Sequence, residues 1–419
     1  HYRFARVAKF VVGWSSHLYY WVYPGLMVGV FSALIQFIGS LFGVPFAGQA
    51  WFAYGVAIVM AIAVGSVAYR GIVGSTGTAI AINVIQIVSL IVLSILAIVY
   101  RLAHGGNSYD YSSPIDVVAV HNFANVVFQA TIAILLLVGF ESITSLGAET
   151  KDPKKNIPRG ILLSLLIQGL IMYVFEYFAA NFFMGNQYKT SSGTGLGAAS
   201  TALAPIGDMA HIIGDWLGGW GFALTIIIGA TVALAIIGTT LSCLNTGVRV
   251  TYAMGKDKEV PSFFGLMHGK FAVPHTGVLV LTGLSALVGV YCSFSAGVFT
   301  QVDTFTQVTY ISNIGTLLLY GMTCAIVFVA FHKGVEGYSF LKHRIAPALG
   351  LVANLGLLVG VFYLAFAGGN VAPNHTETDA LIAIVFVGVF IVAGIAILFA
   401  NSAAQKRAIF HKEHPGFEA

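Results

Sequence analysis

Charge is what this chain has least of: Asp, Glu, Lys and Arg together make up 9% of its 419 residues. A soluble protein of that length could not clothe its surface with so few charges. Cysteine is also scarce. Cys243, Cys292 and Cys324 all fall inside apolar runs and read as small buried residues, which argues against a disulfide framework or a metal site. There is no His/Cys cluster at metal-ligand spacing, no nucleophile elbow and no phosphate-binding loop. The glycine-rich pieces at 105–108 and 193–197 follow no strand signal. These gaps exclude an enzyme reading and call for no cofactor. The opening HYRFARVAKF has neither an initiating Met nor the short apolar region of a signal peptide.

What remains is apolar. Hydrophobic residues make up 58% of the chain, and the mean hydropathy is +0.87. Apolar stretches of 20 or more residues recur, which implies helices rather than the short alternating strands of a barrel. Glycine is abundant at 48 residues, as close helix contacts in lipid favour. The chain therefore reads as an all-α polytopic membrane protein with a single transmembrane domain over 1–419. Ten spans are expected, at 8–40, 50–69, 77–102, 122–149, 158–184, 218–247, 274–296, 303–331, 344–367 and 378–401. The first is long and carries Pro24–Gly25, so a tilt or kink is expected there.

The net charge of +4 does not indicate nucleic-acid binding, because the basic residues sit in short loops between spans. With the N-terminus inside, 18 of the 20 Lys and Arg residues fall on the inner side, and only Arg101 and Lys189 fall outside. A miscounted span would scramble that partition, so both termini are read as cytoplasmic. Two outer loops are long. Residues 103–121 are polar. Residues 185–217 begin with a Ser/Thr/Gly-rich piece, read as a flexible loop, and continue into a short re-entrant or surface helix. Compact loops and short tails favour a bacterial inner membrane.

The densest signal is GFESITSLGAETKDPKKNIPRG at 139–160. An apolar run, Ile132 to Val138, breaks at Gly139, and an acid, Glu141, follows where lipid would penalise one. A basic turn with Lys151, Lys154, Lys155 and Arg159 comes next, and Glu149 reads as a cap or a partner for it. A glycine break beside a carboxylate is how a mid-bilayer substrate site is built.

This segment resembles the sixth transmembrane helix and following loop of the amino acid–polyamine–organocation permeases. Other stretches agree in order and spacing. NTGVRVTYAMGKDKEVPSFF (245–264) resembles the end of the family's eighth helix, and ALAPIGDMAHIIGDWLGGWG (202–221) resembles the outer loop before it. SNIGTLLLY (312–320) resembles the tenth helix, and GWSSHLYYWVYPG (13–25) the third. The resemblance implies a five-plus-five inverted-repeat transporter fold with two extra C-terminal helices. It also implies that the given chain starts at the third helix, with the first two absent from it.

By that resemblance, Leu135, Leu136, Leu137, Val138, Gly139, Phe140 and Glu141 would contact the substrate. The three leucines favour a modest or apolar substrate side chain. Two roles stand open for Glu141: a proton relay, or a structural acid bonded to nearby backbone amides. His17 and Glu176 are further intramembrane proton-relay candidates. For His17 a structural residue bonded to a neighbouring helix is the favoured reading, and Glu176 reads also as a cross-helix partner or a lining of the outer pathway. Asp208, at an outer end, reads as solvated. Some permeases of this family use a lysine in the fifth helix for coupling, but residues 77–100 hold no charge. A sodium site would draw on Thr239, Thr240 and Ser242, although helical threonines commonly bond their own backbone.

The function implied is secondary active transport of amino acids or related amines by alternating access, proton-coupled or by exchange. The expected partners are a small-molecule substrate and the lipid bilayer, with H+ or Na+ as coupling ion. An inorganic ion permease on the same fold and a non-transporting subunit of a larger complex are the alternatives.

Overall fold

Apolar runs in this chain form helices because a helix satisfies its own backbone hydrogen bonds, the requirement that lipid imposes. A computed structural model describes residues 5–71, 76–104, 123–147, 150–185, 188–190, 193–202, 204–293, 301–331, 338–367 and 376–404. Residues 105–121 of the first polar outer loop lie outside this set, as does Glu149. The helices are α1 (Ala5–Tyr20), α2 (Tyr23–Leu41), α3 (Ala50–Tyr69), α4 (Thr76–Ala103), α5 (Phe123–Ala133), α6 (Pro153–Phe183), α7 (Gly195–Thr201), α8 (Pro205–Trp216), α9 (Gly221–Lys256), α10 (His275–Ser293), α11 (Gln301–Ala330), α12 (Ala346–Ala367) and α13 (Thr376–Ala404). Among the described residues, nine helical stretches are long and apolar enough to cross a membrane. A bent pair, Gln129–Leu136 and Phe140–Leu146, makes a tenth if it counts as one span.

The first span is α1 and α2 joined through Trp21 and Val22. Pro24 explains the interruption. It has no N–H to donate to the Tyr20 carbonyl, and its ring disfavours the carbonyl four residues back. The helix restarts with Pro24 in its first turn, where the missing donor costs nothing.

Glycines set the helix spacing around this interruption. A Cβ on Gly247 of α9 would lie 2.8 Å from Leu281 Cδ2 and 3.0 Å from the Tyr20 carbonyl. A Cβ on Gly315 of α11 would lie 2.4 Å from Leu18 Cβ. α1 is therefore gripped closely by α9 and α11. We expect Gly247→Val to cost about 1–3 kcal/mol by overpacking. Gly238→Ala, on the same helix with no atom within 4 Å of its Cβ, should cost nothing. Thermal unfolding of the two variants in detergent checks this.

The described residues of the Ser/Thr/Gly-rich stretch form secondary structure where a flexible loop was expected. Strands β1 (Lys189–Thr190) and β2 (Gly193–Thr194) pair antiparallel and lead into α7. Gly193 (φ 146°) and Gly195 (φ 60°) supply backbone angles that other residues resist. Tyr188 pins the hairpin to α8 by donating its hydroxyl to Asp208 Oδ2 at 2.7 Å. Asp208 is thus a half-buried acceptor rather than a solvated acid. Burial pushes its carboxyl up, opposed by the Tyr188 hydrogen bond and by His211. α8 packs against α4, α6 and α9, where Met209, Ala210 and Ile213 are buried against Phe182 and Phe183.

Candidate functional site

The bent pair is interrupted where the sequence changes character. After α5 the chain tightens into a 3-10 turn, Ile134–Leu136, and resumes as a second 3-10 segment, Phe140–Leu146, bent by 40°. Gly139 sits between them at φ 113°. That left-handed angle is open to glycine and costly for other residues. The break frees backbone groups that need partners inside a membrane. One comes from α6, where the Gln168 side-chain amide donates to the Leu136 carbonyl. Gly160 of α6 lets Ile143 approach so closely that a Cβ there would lie 2.6 Å from its Cδ1. α6 therefore braces both halves of the broken segment.

Glu141 is the centre of the site. Its Oε2 accepts the Gly139 N–H at 2.9 Å and the Tyr320 hydroxyl at 2.7 Å. Its Oε1 accepts the Tyr20 hydroxyl at 2.8 Å. Tyr20 is the last residue of α1, and Tyr320 lies on α11. The carboxylate thus ties the break of one span to the break of another and to a third helix. It forms no ion pair among the described residues. A carboxylate has about four acceptor positions. The three donors found among the described residues leave one open, on Oε1.

Aromatic rings wall this centre. Tyr19 stacks on Tyr23 with centroids 4.8 Å apart and meets Tyr20 edge-on at 4.9 Å. The Tyr19 hydroxyl lies 3.9 Å from Cys243 Sγ on α9. Phe140 lies 5.6 Å from the Tyr320 ring. Val138 is buried in this cluster, with Leu135 packed partly against it. Leu136 contributes its carbonyl to Gln168, and Leu137 points outward at 37% exposure. Of the residues read from the sequence, Leu135, Val138, Phe140 and Glu141 converge here, with Gly139 as the hinge.

The other candidates lie elsewhere. His17 is fully buried one turn before Tyr20, stacked on Trp21 at 4.4 Å and edge-on to Trp14 at 5.8 Å. Neither ring nitrogen has a hydrogen-bond partner, so the expected bond to a neighbouring helix is replaced by aromatic packing. The cause is local: Trp14 and Trp21 commit their own N–H groups to the Phe390 carbonyl and Thr251, leaving ring faces toward the imidazole. Glu176 is exposed on the surface of α6 and is not brought to Glu141. Thr240 donates to the Ile236 carbonyl at 2.6 Å, so its hydroxyl proton is spent on its own helix. Thr239 is half-buried and Ser242 exposed.

Sequence reasoning missed Tyr20, Tyr320 and Gln168 as partners of the break. The available signal was a polar-tipped residue inside an apolar span, a type that seeks a partner when buried. An apolar cavity of about 370 Å³ lies between α2, α8 and α9, with Phe37, Ile206 and Ile228 among its walls. Phe305 lines this cavity and also packs against the hydrophobic cluster around Glu141.

A protein-family model described as amino acid permease matches residues 5–409. The chain belongs to the amino acid permease family. This permease chain is 25% identical over 316 residues to an uncharacterized transporter of Mycobacterium tuberculosis, covering 75% of this chain and 61% of that protein. It is 27% identical over 284 residues to a low-affinity putrescine importer of Escherichia coli, covering 67% of this chain and 57% of the importer. It is 24% identical over 369 residues to a branched-chain amino acid permease of Bacillus subtilis, covering 86% and 68%. The matched regions thus span about six-tenths of the first of these relatives. These relatives are named as transporters rather than enzymes. Helical content and membrane-length spans agree with the permease family and its inverted-repeat class.

Proposed function

We propose that this protein is a secondary active transporter of amino acids or related amines, working by alternating access around the Gly139 break. The observation that carries this reading is Glu141, held at an interrupted helix by tyrosines from two other spans. An interrupted helix can reclose in two arrangements, and a shared carboxylate is a point where substrate can bias one of them. The open acceptor position on Oε1 suits one N–H of a substrate amino group, with Leu135 and Val138 against its apolar part. Putrescine and branched-chain amino acids, named for two of the relatives, both carry such a group. Coupling to protons, or exchange, suits the site better than coupling to sodium, because Thr240 is buried and Ser242 exposed, on opposite faces of α9, so the two hydroxyls do not converge on one cation. The proposed location is a bacterial inner membrane, with the basic loops and both termini in the cytoplasm.

Uptake into proteoliposomes tests this. Labelled amino acids and amines should accumulate under an imposed proton gradient or against a preloaded counter-substrate. Absence of uptake under proton, sodium and exchange conditions alike would reject transport.

A further inference from the structure

At the basic end of the molecule, α3 and α10 leave a pocket of about 340 Å³ between them. Arg70 stands at its rim as the C-terminal cap of α3. It is exposed, and it forms no ion pair among the described residues. Thr282 lines the same pocket from α10. Its hydroxyl is buried and has no hydrogen-bond partner. Gly65 presses on it from α3: a Cβ there would lie 2.3 Å from Thr282 Oγ1. Ser66 lies one turn before Arg70 and adds a second hydroxyl. Ile62 and Leu279, which also line the pocket, leave 55% and 59% of their surface exposed.

The other wall is ordered. Tyr69 meets His268 edge-on at 5.5 Å and Phe271 at 6.0 Å. His268 Nδ1 accepts the backbone N–H groups of Lys270 and Phe271 at 3.2 and 3.3 Å, which fixes the loop before α10. The pocket is thus a firm cleft with a cation at the rim, hydroxyls inside and apolar side chains leading into lipid.

We propose that this cleft binds the headgroup of an anionic phospholipid from the leaflet on the basic side. Arg70 fits two phosphodiester oxygens at once through its planar fork. The exposed Ser66 supplies a hydroxyl donor to the same phosphate, while the Thr282 hydroxyl stays covered by Gly65. Ile62 and Leu279 carry the start of an acyl chain, which a free phosphate would leave uncovered. No acidic side chain lines the cleft, so nothing there pairs with the ammonium of a zwitterionic headgroup. A bound lipid would brace α3 against α10 and against the loop that follows α9.

Native mass spectrometry of the detergent-solubilised protein tests this, with phosphatidylglycerol or phosphatidylcholine added. The protein should retain phosphatidylglycerol in preference to phosphatidylcholine. Arg70→Gln should reduce that retention about fivefold, the usual effect of one cation near an anionic surface. Ser66→Ala should reduce it less. Arg70 is exposed, so Arg70→Gln should unfold at the wild-type temperature in plain detergent, which separates lost binding from lost folding. Millimolar inorganic phosphate should not displace the lipid. Equal retention of the two lipids would overturn the proposal, as would displacement by inorganic phosphate. So would retention that survives Arg70→Gln but is lost in the Lys154→Gln/Lys155→Gln double variant.

Discussion

Glu141→Gln is expected to cut uptake about tenfold to a hundredfold while leaving the fold nearly unchanged. The amide can keep the local geometry. Its oxygen, placed at the Oε2 position, still accepts the Gly139 N–H and the Tyr320 hydroxyl, the two donors that meet there. Its NH2, at the Oε1 position, then faces Tyr20, whose hydroxyl can turn and accept. What is lost is the charge and the open acceptor position. A hydrogen bond to a charged group is worth about 1.5–3 kcal/mol, which corresponds to the fall in rate given above. Glu141→Ala should behave differently. It leaves the Gly139 N–H and two tyrosine hydroxyls unpartnered and should lower the unfolding temperature as well. Uptake measured across pH separates the two roles of the acid. If Glu141→Gln retains the wild-type pH dependence, Glu141 is not the proton carrier.

Gly139→Ala is expected to show the second large effect, for a purely backbone reason. No atom lies within 4 Å of a Cβ built there, so the substitution meets no steric obstacle. The residue nonetheless sits at φ 113°, which side-chain-bearing residues rarely adopt. Holding Ala there costs about 1–3 kcal/mol. The chain can relieve that strain by rotating the break, which draws the Gly139 N–H away from Glu141 Oε2. Uptake should fall together with stability, and Gly139→Ala should mimic part of the Glu141→Gln defect. Wild-type uptake in Gly139→Ala would show that the left-handed hinge is dispensable. Gly238→Ala, in open space at an ordinary helical angle, is the matched control.

The spans were legible because hydropathy alone marks a segment that crosses lipid. Long apolar runs such as 218–247 correspond to single helices, here Gly221–Lys256, with the boundary moved where the helix continues past the apolar core. The break was legible too, because a glycine next to an acid is conspicuous inside an apolar run. The outer Ser/Thr/Gly stretch was misread because its order depends on Tyr188 reaching Asp208, 20 residues away.

Composition, the apolar helices and the place of the Gly139–Glu141 interruption were thus determined by the sequence itself. Only the tertiary structure decided what Glu141 touches. Tyr20 and Tyr320 stand 121 and 179 residues from it, on helices whose apolar residues run around most of the surface. Hydropathy on such a helix does not reveal which side faces a neighbour, nor how deep each residue sits. Those are set by packing, and here by glycines such as Gly247 and Gly315 that let α9 and α11 close on α1. The same limit applies to His17: the sequence placed it in the membrane, but the rotation of α1 set it among tryptophan rings rather than beside a hydrogen-bonding partner.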